Sequence, residues 1–353
     1  MGEKTKIFVE DLILIIVSIV GVGFAGGAEI EHFFCSTNFY VLIIIFLFLF
    51  AIFFNVIYNF KQKNNVKSFY ELNNILFPKA KIINYLFIIF HLVLSASMLA
   101  GADVLVRDKL GLTLPIVSVL LNIFVYILIL KGVAGIKKIF SKFVPILLLI
   151  IFINLFVNSF YLTHNFKNLS NMFTYNDLFS KQNTLTTFMP FLFFGSNFVL
   201  AINSIINLRG NQKKISALAI VLFGVFLFFG CITILLNKNG GDMPLLSASK
   251  NLSNVFFWIY YLCLIFSIFA TLTISTWNEF QLCNFDNNFS LIIILIVNQI
   301  VSLLGFQFII KYLYSFTGLV GIIYCVILLI RIKIFNHHQN KNTDQTLMQN
   351  NNK

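Results

Sequence analysis

The sequence predicts an all-α integral membrane protein of about ten transmembrane helices, and three observations lead there. Hydrophobic residues make up 59% of the 353-residue chain and charged residues 11%, a balance no soluble protein of this size could carry on its surface. The apolar residues fall into ten runs, at 12–34, 39–60, 82–106, 112–131, 139–162, 185–208, 215–236, 255–281, 289–304 and 306–334, most of them near the roughly 20 residues that a bilayer-crossing helix needs. The first and the sixth run carry glycines and polar residues in mid-span. Residues 1–335 therefore read as one transmembrane domain built from a five-plus-five inverted repeat, about 9–162 and 185–335, with spans one and six broken.

In span one the interruption is Gly21-Val22-Gly23-Phe24-Ala25-Gly26-Gly27-Ala28-Glu29. Free backbone groups survive at membrane depth only where protein or a water-filled cavity covers them, so this stretch is a candidate site. A carboxylate such as Glu29 near the bilayer centre costs roughly 3 kcal/mol on insertion scales and marks function by default. Three roles stand open for it: proton or cation carrier, contact to a substrate ammonium, or cap of a half-helix starting near Gly27, where the dipole favours an anion. Glu10 and Asp11 stand where the basic region of a signal peptide would continue, so cleavage is not expected.

Span three carries His91, Ser95, Ser97, Gly101 and Asp103. His91 lacks a second His or Cys and reads as a hydrogen-bonded interior residue, while Asp103 and Arg107, four apart, suit an interfacial ion pair. Pro115 and Pro145 start or kink spans four and five. The 163–184 loop suits a short external helix, and Pro244 after Gly240-Gly241-Asp242 another irregular external element.

Span six is interrupted at Phe193-Phe194-Gly195-Ser196-Asn197-Phe198, which lies 171 residues beyond Ala25 if counted to Ser196, about half the embedded length. Paired interruptions of this kind point to inverted-repeat transporters with substrate bound near the midplane. In span eight Ser267, Thr271 and Ser275 are spaced by four and Asn278 follows, a polar stripe on one helical face. Hydroxyls there suit a hard cation such as sodium; they also serve to bond their own helix or to glue neighbouring helices. Gly305 separates spans nine and ten as a tight hairpin, and the Asn/Gln-rich residues 336–353 read as a disordered cytoplasmic tail.

The net charge of +12 is topological. With the N-terminus inside, 18 of the 25 Lys and Arg fall in cytoplasmic segments, which orients the chain with both termini in the cytoplasm and excludes a nucleic-acid groove. Five cysteines without metal-ligand spacing read as apolar fillers. There is no HExxH, phosphate loop or nucleophile–base spacing, so no enzyme is expected.

Gly23-Phe24-Ala25-Gly26-Gly27-Ala28-Glu29-Ile30 resembles a G-F-A-S-G-Q-E signature, with Gly26 and Ala28 in place of the usual Ser and Gln. Met98-Leu99-Ala100-Gly101-Ala102, Asn197, Met243-Pro244-Leu245-Leu246, Phe269-Ala270-Thr271 and Leu313-Tyr314 with Gly318 and Gly321 follow in order. Together they resemble the YkvI-like family of bacterial membrane proteins, within the amino acid-polyamine-organocation superfamily of LeuT-type fold. The resemblance implies a permease of the bacterial cell membrane, with substrate between the breaks of spans one and six, flanked by spans three and eight. It implies substrate contacts from Gly23, Ala25, Gly26, Gly27, Glu29, Gly101, Phe194, Gly195, Ser196 and Asn197. It implies a cation site from the carbonyls of Val20 and Gly23 with Ser267, Thr271 and Ser275, while Glu29 keeps proton coupling open.

The expected function is a sodium- or proton-coupled secondary transporter of a small organic solute, an amino acid or related compound, working by alternating access. The alternative is a solute sensor of the same fold that transports nothing, similar to the membrane subunits of spore germinant receptors. The expected partners are the lipid bilayer and a small-molecule substrate, the expected ligands beyond it only Na+ or H+.

Overall fold

A computed structural model describes residues 3–35, 39–77, 80–111, 115–165, 184–209, 212–237, 241–283 and 288–351. The expected external helix in the 163–184 loop falls on 166–183, outside the described residues. Among the described residues, each of the ten apolar runs falls on helix, and seven helices are long and apolar enough to cross a membrane.

Span one is α1 (Glu3–Ile19), α2 (Val22–Gly26) and α3 (Ala28–Phe34). Its glycines set the two interruptions. Gly21 is extended (φ −93°, ψ −167°) and its N–H turns back to the Ile19 carbonyl at 3.0 Å, ending α1. Gly27 is left-handed, at φ +95°, and its N–H bonds the Gly23 and Phe24 carbonyls; a side chain there would be strained and glycine is not.

The first half continues with α4 (Phe39–Asn64), α5 (Phe69–Leu76), α6 (Ala80–Leu110), α7 (Ile116–Leu130) and α8 (Gly132–Asn165). The Ser68 hydroxyl caps α5 by accepting the Glu71 N–H, and Glu71 accepts the Lys67 N–H in return. The second half is α9 (Thr184–Ile206), α10 (Gln212–Leu236), the short α11 (Pro244–Ser249), α12 (Asn254–Cys283), α13 (Asn288–Ser302), α14 (Phe306–Phe308), a π-helical turn over Ile309–Tyr314, and α15 (Ser315–Asn351). Gly305 makes the hairpin between α13 and α14 at φ +90°.

Span six departs from expectation: α9 runs unbroken through Gly195-Ser196-Asn197. The polar side chains bond back to their own helix, Ser196 Oγ to the Leu192 and Phe193 carbonyls and Asn197 Nδ2 to the Phe193 carbonyl at 3.0 Å. Gly195 serves close approach. A Cβ on it would overlap the Gly318 carbonyl, one on Gly318 the Leu192 carbonyl, and one on Gly321 the Gly195 carbonyl. Three glycines thus let α9 and α15 pack backbone to backbone, the most extensive helix pair of the fold.

Beyond span ten, α15 continues as helix to Asn351. Residues 336–351 contain neither Gly nor Pro, and extending an existing helix avoids the cost of nucleation.

Aromatic residues fill the space between α4 and α9. Phe53 stands 5.1 Å from Phe194 and 5.2 Å from Phe198 between ring centroids, and Phe46 5.4 Å from Phe193. Outward positions such as Phe48, Phe124 and Ile300 are exposed and apolar, the surface a bilayer requires.

Candidate functional site

The interrupted span one is held by α12, α6 and the π turn. Val20, freed from the α-helical pattern at the end of α1, directs its carbonyl to α12, where it accepts both the Ser267 and the Thr271 hydroxyl at 3.3 Å. A cavity of about 10 Å³ beside Val20 and Ser267 is lined also by Ile16, Val144, Leu147, Leu148 and Ala270, room for roughly one water-sized occupant. The cluster of the Val20 carbonyl with the Ser267 and Thr271 hydroxyls is an oxygen set of the kind that suits a small hard cation, although among these residues only Val20 and Ser267 border the cavity. Gly23, by contrast, has its carbonyl engaged by the Gly27 N–H at 3.1 Å.

Glu29 is 1% exposed. It folds back across α2 so that its carboxyl lies against Gly23, and its Oε2 is buried without a hydrogen-bond partner. An unpaired acceptor buried at membrane depth is costly, so the position favours a bound proton or a ligand that donates. Tyr314 is buried in the π turn, which packs against α3 and α6. π turns within α-helices are frequent at functional sites.

The remaining candidates divide. Ala25 belongs to the site through its carbonyl, which accepts the Tyr260 hydroxyl at 2.6 Å. Gly21 packs against Met98 and Thr271, and Gly101, one turn beyond Met98, is buried on α6. Gly26 and Gly27 instead face Met243, Pro244 and Leu245 of the external element, which covers the break from that side. Phe194 packs at a tilt against Phe53 and stacks with Phe198; its neighbour Phe193 is the ring that meets Phe24, Phe33 and Phe34 of span one. Asn197, one turn from Phe193 on the same face, keeps its Oδ1 buried and without a partner, whereas Gly195 and Ser196 are occupied with packing and back-bonding.

Ser275 stands apart from Ser267 and Thr271. Its hydroxyl is 2.6 Å from that of Ser95 on α6, and Ser95 donates to Glu279 at 2.6 Å. Glu279 escaped the sequence reading although it lies four residues beyond Ser275, at the spacing that defines the stripe. Tyr260, Phe193 and Asn298 were missed as well, and nothing in their local sequence separates them from ordinary packing residues.

A larger cavity of about 350 Å³ lies at the other end of α6, lined by Asp103, Arg107, Pro115, Asp242 and the 302–308 hairpin among others. Arg107 reaches Asp242 at 3.4 Å, while Asp103 accepts the Ser118 N–H at 3.1 Å in the first turn of α7. Helix capping, not only the expected pairing with Arg107, thus accounts for Asp103.

No family model and no curated protein matches the sequence. Among solved structures the chain is similar to Mhp1, a nucleobase-cation-symport-1 family transporter, in a closed conformation with bromovinylhydantoin bound. The likeness covers 83% of this chain and 70% of that one, at 14% identity and a TM-score of 0.57. A manganese transporter of Eremococcus coleocola, as a mutant, is similar over 97% of this chain and 74% of its own, at 14% identity and a TM-score of 0.47. The likeness to Mhp1 establishes the fold, that of an all-α, multi-pass membrane protein of LeuT type.

Proposed function

We propose that the chain is a cation-coupled secondary transporter of a small organic solute, working by alternating access, with kinship to the YkvI-like permeases. The observation that carries this reading is the meeting of the Ser267 and Thr271 hydroxyls on the Val20 carbonyl at a break in span one. A cation bound there ties the end of α1, at the break, to α12, so its binding is linked to how α1 sits against α12. Linkage of this kind is what couples an ion to a solute site. Sodium fits the oxygen set, and a proton fits Glu29, whose Oε2 has no partner.

For the solute, Glu29 Oε2 and Asn197 Oδ1 are two buried acceptors without donors, on the two elements that Phe193 brings together. An amino acid or related amine supplies ammonium donors for such acceptors. The distribution of Lys and Arg supports an orientation with both termini in the cytoplasm, and the resemblance to the YkvI-like family supports a bacterial cell membrane.

The test is uptake into proteoliposomes of labelled amino acids and amines under an imposed sodium or proton gradient. The reading requires saturable uptake that one of the gradients accelerates. Binding without uptake under either gradient would point to a sensor of the same fold.

A further inference from the structure

Glu279 lies in bilayer-spanning α12 and is 1% exposed. An ionised carboxylate in such a place needs donors or a counter-charge. None of the ion pairs among the described residues involves it. Its partners are neutral: the Ser95 hydroxyl donates at 2.6 Å, and Asn298 Nδ2 of α13 donates at 3.0 and 3.3 Å.

Two details separate this arrangement from a static polar contact. Ser275, whose hydroxyl donates to the Leu272 carbonyl at 3.2 Å, also stands 2.6 Å from Ser95, so Ser275, Ser95 and Glu279 form a short polar chain from α12 to α6 and back. Asn298 Oδ1 is buried with no partner of its own. Turning the amide by 180° sets Oδ1 against the carboxyl as an acceptor for a Glu279 O–H. The same side chains therefore supply a partner to Glu279 with and without a proton. A metal cation suits the place less well, because N–H and O–H donors already point at the carboxyl oxygens.

We infer that Glu279 is a proton-binding site, held by Ser95 and Asn298 and placed on the same α12 face as Ser267 and Thr271. Ser267, Thr271, Ser275 and Glu279 recur every four residues, so the site stands two turns from the hydroxyls on the Val20 carbonyl. The titratable groups near it on the elements packed around it are Cys283, one turn further on α12, and His91, one turn from Ser95 on α6; α13 contributes none among the described residues. The role of this proton in coupling rests on the reading as a transporter, but its binding does not.

The experiment is pH-difference infrared spectroscopy of the full chain in lipid, since the C=O stretch of a protonated carboxyl absorbs apart from the amide bands. Acidification is expected to raise a carboxyl band in the wild type and in Glu29→Gln, with one component absent from Glu279→Gln. Ser95→Ala takes a donor from the carboxyl and is expected to shift that component to higher wavenumber; this variant decides the matter if Glu279→Gln does not fold. A band unchanged in Glu279→Gln, an unshifted component in Ser95→Ala, or loss of the component on adding sodium at constant pH would each overturn the inference. Failure of gradient-driven uptake with the component present would overturn the transporter reading alone.

Discussion

The carboxyl group of Glu29 occupies the space where a side chain at residue 23 would begin: a Cβ on Gly23 would stand 2.6 Å from Glu29 Cγ and Cδ. Glycine at 23 therefore does more than loosen the helix. It admits an acid that starts on α3 and folds back past the whole of α2, so the interruption and the carboxylate form one unit. Gly23→Ala is expected to destabilise the protein by about 1–3 kcal/mol through overpacking. In a Glu29→Ala background the space is free and the penalty should largely vanish. Thermal unfolding of the two single variants and the double variant in detergent measures this coupling; additive effects would show that the contact is not what restricts residue 23.

Ser267 and Thr271 share one acceptor, so their hydroxyls should matter together. If the Val20 carbonyl and these hydroxyls bind sodium, sodium chloride raises the unfolding temperature of the wild type more than choline chloride does. Thr271→Val keeps the shape and removes the oxygen, and is expected to weaken that sodium effect about tenfold in concentration. An equal response in the variant would move the cation elsewhere.

Gly318 and Gly230 both sit in apolar helices but have different neighbours. A Cβ on Gly318 meets the Leu192 backbone, which cannot yield, whereas one on Gly230 meets the flexible tip of Ile30 at 2.9 Å. Gly318→Ala should cost roughly 1–3 kcal/mol or more, while Gly230→Ala gains up to about 1 kcal/mol of helix propensity to offset its crowding. Comparing the unfolding midpoints of the two variants checks the close approach of α9 and α15.

Asp103 accepts the Ser118 N–H in the first turn of α7. Asp103→Ala is expected to lower stability by about 1 kcal/mol, in the range of lost helix caps, and Asp103→Asn, which keeps an accepting oxygen, by much less. If both variants unfold alike, the side chain acts through charge, toward Arg107, and not through capping.

The glycine pattern of span one was legible in the sequence because glycine and left-handed backbone are locally linked; Gly27 adopts φ +95° for reasons contained in its own residue type. The same pattern misled in span six. Gly195 looks like Gly21 or Gly27 in sequence, yet its purpose is set by Gly318 and Gly321 more than 120 residues away, and no local property of the chain distinguishes a hinge glycine from a packing one. The polar stripe of α12 was likewise visible as a face but not as two groups: Val20 claims Ser267 and Thr271, and Ser95 claims Ser275.

By itself the sequence determined the class of protein, the ten apolar runs, the first break and the polar face of α12, because hydropathy, helical period and glycine conformation act over a few residues. Only the tertiary structure decided that span six stays whole, that Phe193 and not Phe194 turns to the break, and that Glu279 ends the stripe in a donor cage built by Ser95 and Asn298. Those outcomes depend on which helices meet and at what register. In a membrane, where lipid is as apolar as the core, hydrophobicity does not tell one helix face from another, and packing and hydrogen bonds make that choice.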